Sequence, residues 1–487
     1  MTYETIIGLE VHAQLLTRSK MYCRCSSEYA SAPPNTHVCQ VCLGMPGVLP
    51  VINKKAIEYA IMTALALNCT IPEFSKFDRK NYPYPDLMKG YQISQYDAPI
   101  GVGGWMKIEV NGEERRIGIT RVHMEEDVAK LTHRNNLWGE SYSLVDVNRS
   151  GVPLMEIVSE PDMSSPEEAR QYLIKLRSIL RYLRVSTGNM EEGSFRCDAN
   201  ISIRPEGSDK TLAKIEVKNM NSFKAVYRAL EFEAERQRKV TGEGGELFQE
   251  TRGWVEDKGI TQSQRSKEYA HDYRYFPEPD LPPLTLSPAL VKEIEACLPE
   301  LAEAKRDRFM SQYSLALADA ILITSSKALA DYFETCVNLS EILPLEKRAK
   351  NLSNWLLGDF AHKLNEADIE IDESKVSPDN LVELLDLIEK GAISGPAAKA
   401  VFEDMFNSDK KAKEIVAEKG LTQISDISAV EDIVRQIIDS NPQAVSDFKA
   451  GKEQAAKFLV GQAMRATKGR ANPQMVNDIL KQKLEGN

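Results

Sequence analysis

The sequence of 487 residues has no apolar run of about 20 residues, the length needed to span a bilayer. Its first ten residues lack a basic region followed by an apolar stretch, so no secretory signal is expected and the expected compartment is the cytoplasm. Eight cysteines are too few to form a disulfide scaffold in a chain of this length. The sequence therefore argues against membrane-spanning and disulfide-rich secreted classes.

Several motifs of nucleotide-binding and hydrolytic enzymes are also missing. No GxxxxGK[ST] loop occurs, and the glycines at 101–104 and 242–245 do not complete GxGxxG, so they indicate turns. Neither HExxH nor GxSxG is present. The run Ser325-Ser326-Lys327 is similar to part of an amidase nucleophile set, but it lies in an apolar helical stretch and we interpret it as incidental. P-loop ATPases and Rossmann dehydrogenases are therefore unsupported.

The net charge of −11 excludes a protein that wraps nucleic acid with a generally basic surface. Binding to RNA would need basic residues gathered locally. Hydrophobic residues make up 42% and charged residues 27% of the chain, which is typical of globular proteins. At roughly 100–200 residues per domain, the length favours two to four domains.

A proline-rich segment divides the chain into two parts. Short alternating segments precede about residue 276, and Ala-, Leu-, Lys- and Glu-rich segments with helical spacing follow about residue 288. Five prolines between 277 and 288 favour an extended connector. A second boundary is indicated near 407–411. We predict a catalytic domain at 1–290 with a zinc-ribbon insertion at about 21–46, a helical domain at 291–405 and a helical tail domain at 406–487.

The first part of the chain combines strand and helix signals. Apolar and polar residues alternate at 7–15, 117–127, 196–204 and 213–219, which predicts strands with one polar face. Asn53, Ser165 and Ser222 are predicted helix N-caps, with Pro166 and Glu168 completing a capping box after Ser165. Strands interrupted by helices predict an α+β fold with an antiparallel sheet.

The polar face of these strands carries both acids and cations. The acids and imidazoles are Glu10, His12, His123, Glu125, Asp127, Asp198 and Glu216, and the cations are Arg121, Arg196, Lys214 and Lys218. Carboxylates suit Mg²⁺ or Mn²⁺, and Arg and Lys suit phosphate oxygens. The set favours a site for nucleotide phosphates and phosphoryl transfer. A solvated face with chance ion pairs is an equal alternative while strand pairing is unknown.

Four cysteines form a local cluster in the sequence. Cys23 and Cys25 are followed after thirteen residues by Cys39 and Cys42, a pattern that resembles a zinc ribbon. Four soft ligands fit tetrahedral Zn²⁺, and a closed site of this kind is structural. His37 is a possible substitute ligand. Four free thiols or an iron–sulfur cluster are the other interpretations.

The tail has its own charge pattern, with eight basic and four acidic residues in 441–487. A helix is predicted to end at Gly469, and another to start at Asn472 and Pro473. Lys468 and Arg470 lie between them and are predicted to contact an RNA backbone. The alternative is that these cations only complement a helix C-terminus.

Nine stretches resemble the B subunits of aspartyl/glutamyl-tRNA amidotransferases. They are residues 7–15, 76–86, 91–95, 123–127, 147–161, 193–202, 216–223 and 265–277, and the loop around Gly469. The resemblance implies ATP-dependent activation of the side-chain carboxylate of Glu-tRNA(Gln), Asp-tRNA(Asn) or both, followed by amidation. It also implies a heterotrimer with an amidase-type glutaminase that supplies ammonia (the A subunit) and a small third protein (the C subunit). The implied catalytic cradle is similar to glutamine synthetase and the guanido kinases.

The resemblance also implies roles for individual residues. Glu10, His12, Glu125 and Glu216 are the predicted Mg²⁺ ligands, with Asp198 as a further candidate. Arg149, Arg196, Lys218 and Arg274 are the predicted contacts to phosphate or carboxylate. The cofactors expected are ATP, Mg²⁺ and a structural Zn²⁺.

Two other functions compete with this one. A glutamine-synthetase-like ligase acting on a free amino acid would need neither the helical domain nor the basic tail. A non-catalytic zinc-ribbon RNA-binding factor would leave Glu10, His12 and Glu125 unexplained.

Overall fold

A computed structural model describes residues 2–136, 138–266, 273–421, 427–449, 453–467, 471 and 473–485. The chain divides into two compact units, Met1–Leu301 and Ala302–Asn487. Strands and helices make up the first unit, while the described part of the second is helical. The prediction of a chain that mixes strands and helices is confirmed, and its main sheet is large. The predicted boundaries at 290 and 405 stay predictions.

The first unit alternates strands with helices. Its strands are β1 (Tyr3–Gln14), β2 (Phe74–Ser75), β3 (Asp78–Asn81), β4 (Tyr91–Ser94), β5 (Gly101–Val110), β6 (Glu113–Glu126), β7 (Lys130–Asn135), β8 (Ser141–Asp146), β9 (Pro153–Ser159), β10 (Phe195–Pro205), β11 (Ile215–Lys218), β12 (Glu250–Val255), β13 (Ile260–Ser266), β14 (Phe276–Pro277) and β15 (Leu284–Thr285). Its helices are α1 (Lys54–Ala66), α2 (Pro166–Tyr182), α3 (Phe223–Gly242) and α4 (Pro288–Glu295).

Within the described residues, eleven of these strands form one sheet. Its order is β13-β12-β11-β10-β1-β9-β6-β4-β3-β14, and β5 pairs with β6 off this path. The two short pairs β2–β15 and β7–β8 lie outside it. The pairs are antiparallel except β11–β12, which is parallel. The predicted antiparallel sheet is therefore wrong at this pair, because α3 crosses between β11 and β12 and allows the chain to return in the same direction.

One face of the sheet is buried and the other carries the polar residues, as the alternation predicted. In β1, Ile7, Leu9, Val11 and Ala13 are fully buried in the main core, and Val122 and Met124 of β6 join them. Tyr172, Leu173 and Leu176 of α2 pack into the same core. Burial of each such side chain contributes about 1.5–3 kcal/mol, so the register of the central strands is strongly fixed.

The predicted helix starts are confirmed. Asn53 accepts backbone hydrogen bonds at the start of α1, Ser165 does so for α2, and Ser222 for α3. The capping box after Ser165 differs in detail, because the Glu168 carboxylate accepts from the N–H of Ser164, at 2.7 Å. Helix α2 ends at Tyr182, with Leu183 as its C-cap. Arg184 has a φ of 55°, which no α-helix continues.

The described helices of the second unit are α5 (Ala302–Tyr313), α6 (Leu317–Ile323), α7 (Lys327–Leu339), α8 (Leu345–Trp355), α9 (Ala361–Ala367), α10 (Pro378–Glu389), α11 (Gly395–Asn407), α12 (Ala412–Lys419), α13 (Ile427–Ser440), α14 (Pro442–Lys449), α15 (Glu453–Ala466) and α16 (Pro473–Glu485). A π-helical turn, Leu356–Phe360, joins α8 to α9. One apolar cluster runs from Phe309 to Val416, and a second from Val430 to Leu484. Among the described helices, none is long and apolar enough to cross a membrane.

Candidate active site and metal centre

The polar face of the sheet lines up acids and imidazoles from neighbouring strands. His12 of β1 lies opposite Glu156 of β9, and Glu156 in turn lies opposite His123 of β6. Glu125 follows His123 by two residues, so both side chains point to the same face. The strand pairing thus brings together residues that are far apart in the sequence.

Three of these residues could hold a cation. His12, Glu125 and Glu156 offer ligand atoms that all lie within 4.8 Å of one another. The Nε2 atom of His12 lies 3.3 Å from Oε2 of Glu156 and 3.9 Å from Oε2 of Glu125. His123 approaches the same carboxylates, with Nε2 at 3.2 Å from Glu156 and 3.7 Å from Glu125. We call His12, Glu125 and Glu156 the open-face cluster; its two carboxylates are buried, and His12 is partly exposed.

The charges of the open-face cluster and of the adjacent His123 shift one another's pKa values. Burial lowers the pKa of His123, but the carboxylates of Glu156 and Glu125 outweigh burial and raise the pKa to about 9. Burial raises the pKa of Glu125, yet Lys80 and His123 bring the pKa down to about 2. The carboxylates are therefore ionised and ready to bind a cation, which would compete with the protons on the imidazoles.

Side chains of β4 hold Glu125 in place. Ser94 donates to Oε1 of Glu125 at 2.8 Å, and Gln92 donates to Oε2 at 3.1 Å. Over their described residues, β4 and β6 share one paired position, Ser94 with Glu125. On either side of this pair, side-chain hydrogen bonds take the place of backbone ones. The amide of Gln92 also donates to the carbonyl of Glu126, and the side chain of Gln95 accepts from the N–H of Met124.

A second polar group lies further along the same face. Glu10 lies opposite Asp198 and accepts from Asn200 at 2.8 Å, and Asn200 lies opposite Glu216. Lys218 lies 2.6 Å from Asp198 and 3.2 Å from Glu216. The predicted Mg²⁺ ligands are thus divided: His12 and Glu125 belong to the open-face cluster, Asp198 and Glu216 pair with Lys218, and Glu10 lies opposite Asp198.

The predicted arginines differ in what they contact. Arg196 is half-buried and lies 3.1 Å from Asp127, beside His12 in the register. Arg149 donates to the carbonyls of Val128 and Ala129, at 2.8 and 2.9 Å, so it supports the chain just after β6. Arg274 has a φ of 46°, and its carbonyl accepts from Asn81 at 2.9 Å.

Sequence reasoning missed two residues of this site. Glu156 was not chosen, although it is the one charged residue in the largely apolar strand Pro153–Ser159. A buried charge in such a strand needs a function or a partner. Lys80 was also missed. Its ammonium lies 3.7 Å from Glu125 and 5.1 Å from the centre of the Tyr273 ring. Next to it, Tyr275 stacks on Tyr96 with ring centres 4.3 Å apart.

The four predicted cysteines come together in the structure as a cysteine cluster. The Sγ atom of Cys42 lies 3.4 Å from that of Cys23 and 3.8 Å from those of Cys39 and Cys25. Four sulfurs around a zinc ion at about 2.3 Å would lie roughly 3.8 Å apart, so the spacing fits this metal. Hydrogen bonding by Cys23, then by the backbone of Cys39, and the charge of Lys20 lower the pKa of Cys42 to about 4. The ring of His37 is not part of this cluster.

Some predicted residues lie outside the described part of the chain. Lys468 and Arg470 are among them, as are residues 267–272 of the stretch 265–277. Helix α16 does begin at Pro473, as predicted.

An α+β unit that gathers ionised acids and imidazoles on the polar face of its sheet has the form of a catalytic domain, and comparison with known families agrees. Residues 5–292 match the family model described as the GatB/GatE catalytic domain, and residues 331–484 match the GatB domain. The chain therefore belongs to the GatB/GatE family.

The curated relatives resemble the chain over nearly its whole length. A protein of Dehalococcoides mccartyi named as the B subunit of aspartyl/glutamyl-tRNA(Asn/Gln) amidotransferase is 59% identical over 487 residues, and the match covers 99% of each chain. Proteins with the same name from Thermoanaerobacter pseudethanolicus and Thermomicrobium roseum are 56% and 53% identical, each over at least 99% of both chains. The resemblance inferred from the sequence is confirmed.

Proposed function

We propose that this chain is the B subunit of a tRNA-dependent amidotransferase, a carbon–nitrogen ligase of protein biosynthesis. It activates the side-chain carboxylate of Glu-tRNA(Gln), Asp-tRNA(Asn) or both by transfer of the γ-phosphoryl group of ATP, with ADP as leaving group. Ammonia then attacks the acyl phosphate and phosphate leaves, giving the amide. The full-length similarity to relatives named for this reaction carries the proposal.

The open face of the sheet is the proposed site of this chemistry. His12, Glu125 and Glu156 would hold one Mg²⁺, and Glu10, Asp198 and Glu216 offer oxygens for a second. Bound Mg²⁺ would neutralise charge on the transferred phosphoryl group. Arg196 and Lys218 lie on the same face and suit phosphate oxygens, and we propose the same contact for Arg274.

The fold is proposed to form a cradle like that of glutamine synthetase and the guanido kinases. The cysteine cluster would hold a structural Zn²⁺, because four clustered sulfurs are the ligand set that this ion prefers. We also propose two partners, an amidase-type glutaminase that is the source of ammonia and a small third protein, and a tail that contacts tRNA through Lys468 and Arg470. We propose that the protein acts in the cytoplasm, where translation consumes the product.

ATP hydrolysis by the complete heterotrimer tests the proposal. It should be stimulated by Glu-tRNA or Asp-tRNA, and not by free glutamate or uncharged tRNA. Stimulation by free glutamate would instead support a ligase acting on a free amino acid, and absence of hydrolysis under every condition would support a non-catalytic RNA-binding factor. Comparing the two charged tRNAs identifies the substrate.

A further inference from the structure

Lys20 is a buried lysine without a role in the proposed reaction. Only 1% of its surface is exposed. Its ammonium donates to the carbonyl of His37 at 2.8 Å, to the carbonyl of Val147 at 3.4 Å and to the Sγ atom of Cys42 at 3.5 Å. An ammonium has three donors, so these contacts use all of them.

The surroundings of this lysine make sense when a metal is bound. Four thiolates around a divalent cation carry a net charge of −2, and a buried charge is unfavourable unless it is paired. The ammonium of Lys20 supplies the opposite charge directly at one sulfur. The cluster and the lysine therefore compensate each other inside the protein.

The second acceptor of Lys20 belongs to a different part of the unit. Val147 is in residues 147–152, which we call the bridge segment because they lead from β8 into β9. Further bonds join this segment to residues 21–46, which we call the cysteine-bearing loop: Asn35 accepts from Val147, Asn148 accepts from His37, and the carbonyl of Gly151 accepts from Met21. These three distances are 2.7–2.8 Å.

The bridge segment also contacts the strands of the open-face cluster. It runs directly into β9, which carries Glu156, and its Arg149 supports Val128 and Ala129 just after β6. Lys20 thus lies where the cysteine cluster meets the segment that leads to the reacting face.

We propose that Lys20 is a positioning residue for the metal centre. Its ammonium stabilises the metal-bound sulfur of Cys42 and clamps the cysteine-bearing loop to the bridge segment. The proposal rests on the binding of Zn²⁺ at the cysteine cluster and not on the reaction assigned to the open face.

Zinc release to a chromogenic chelator from the zinc-loaded full-length protein tests it. Lys20→Met and Lys20→Gln should release zinc faster, in line with the about 10–100-fold loss of metal affinity that follows mutation of partners of metal ligands. Lys20→Arg keeps the charge and several donors and should stay close to the unchanged protein. Lys305→Met, which removes another buried lysine in the second unit, is the control and should not alter release.

Cobalt substitution separates the sulfur contact from simple packing. The thiolate-to-cobalt absorption bands should shift in Lys20→Met and Lys20→Gln, because the charged hydrogen bond to Cys42 is lost, and should be restored in Lys20→Arg. If Lys20→Met does not fold, the comparison of Gln with Arg decides. Equal release rates and equal bands for these two variants would overturn the proposal.

Discussion

The first unit holds two candidate metal sites that are built in opposite ways. The open-face cluster takes His12, Glu156 and Glu125 from three adjacent strands, where the backbone ladder fixes their separation. The cysteine cluster takes its ligands from residues 23–42, which contain turns and no named strand or helix. The carboxylate and imidazole ligands of the open-face cluster lie on the strands of a rigid sheet. The soft sulfur ligands of the cysteine cluster lie in an irregular segment.

This difference indicates which site depends on its metal. The sheet buries a continuous apolar face on its other side, so the open-face cluster should persist without a cation. The cysteine-bearing loop adds little to the apolar cores: between residues 23 and 42, Cys42 is buried in a small cluster with Ala129 and Val147, and Val41 is partly buried against the main core. Its conformation should therefore depend on bound metal.

The largest effect is expected from Cys39→Ser. Structural zinc supplies roughly 10–16 kcal/mol of apparent binding free energy in finger peptides, so its loss should unfold residues 21–46 locally. Metal analysis should fall from about one zinc per chain towards zero, and limited proteolysis should cut within the loop. Cys297→Ser, at an exposed cysteine outside the cluster, is the control. Full zinc content in Cys39→Ser would show that the cluster is not a zinc site.

Glu125→Gln should separate chemistry from folding. The amide keeps a similar shape beside Ser94 but removes one charge of the open-face cluster, so phosphate release with charged tRNA should fall by about 100-fold or more. Zinc content and tRNA affinity should be unchanged. Glu4→Gln, at an exposed ion pair on the same strand as His12, should retain full activity. Near-normal turnover of Glu125→Gln would refute the assignment of the cluster.

Removal of the tail should leave both sites intact. A chain cut after residue 421 keeps α12, whose Ala412 and Ile415 are buried in the preceding helical cluster. Binding of tRNA should weaken and become less sensitive to salt, because fewer counterions are released. The double variant Lys468→Ala with Arg470→Ala should lower the salt slope by roughly 1.5, as two phosphate contacts are lost. An unchanged tRNA affinity and an unchanged salt slope would show that these cations only complement a helix end.

The smallest effect is expected from Ser165→Ala. Loss of this N-cap of α2 should lower the free energy of unfolding by about 1 kcal/mol. Urea denaturation measures the loss of the bond that the Ser165 hydroxyl accepts from the N–H of Glu168. Zinc content and Mn²⁺ binding should not change. A fall in Mn²⁺ affinity would contradict the view that the sheet alone positions the open-face cluster.

Local signals in the sequence predicted local structure well. The alternation of β1 predicted the burial of Ile7, Leu9 and Val11, because a period of two places successive residues on opposite faces. Cap residues such as Asn53 and Ser222 predicted helix starts because their side chains satisfy free backbone N–H groups. The cysteines were found for a similar reason, since close spacing keeps them near one another.

The composition of the open-face cluster could not be read in this way. The sequence places Glu10 nearest to His12, but strand order instead brings Glu156 and Glu125 to His12. That order depends on β9 lying between β1 and β6, a non-local pairing that no short pattern encodes. For the same reason, the crossover by α3 that makes β11 and β12 parallel was not foreseen.

The join between β4 and β6 has an evolutionary consequence. A ladder of backbone hydrogen bonds is the same whatever the side chains are, so mutation seldom alters it. Beyond Ser94, however, Gln92 and Gln95 make the bonds that a backbone would otherwise make. A substitution at either glutamine would change these hydrogen bonds next to Glu125. Single mutations can therefore alter the position of that carboxylate, and selection can act on it, while the rest of the sheet stays the same.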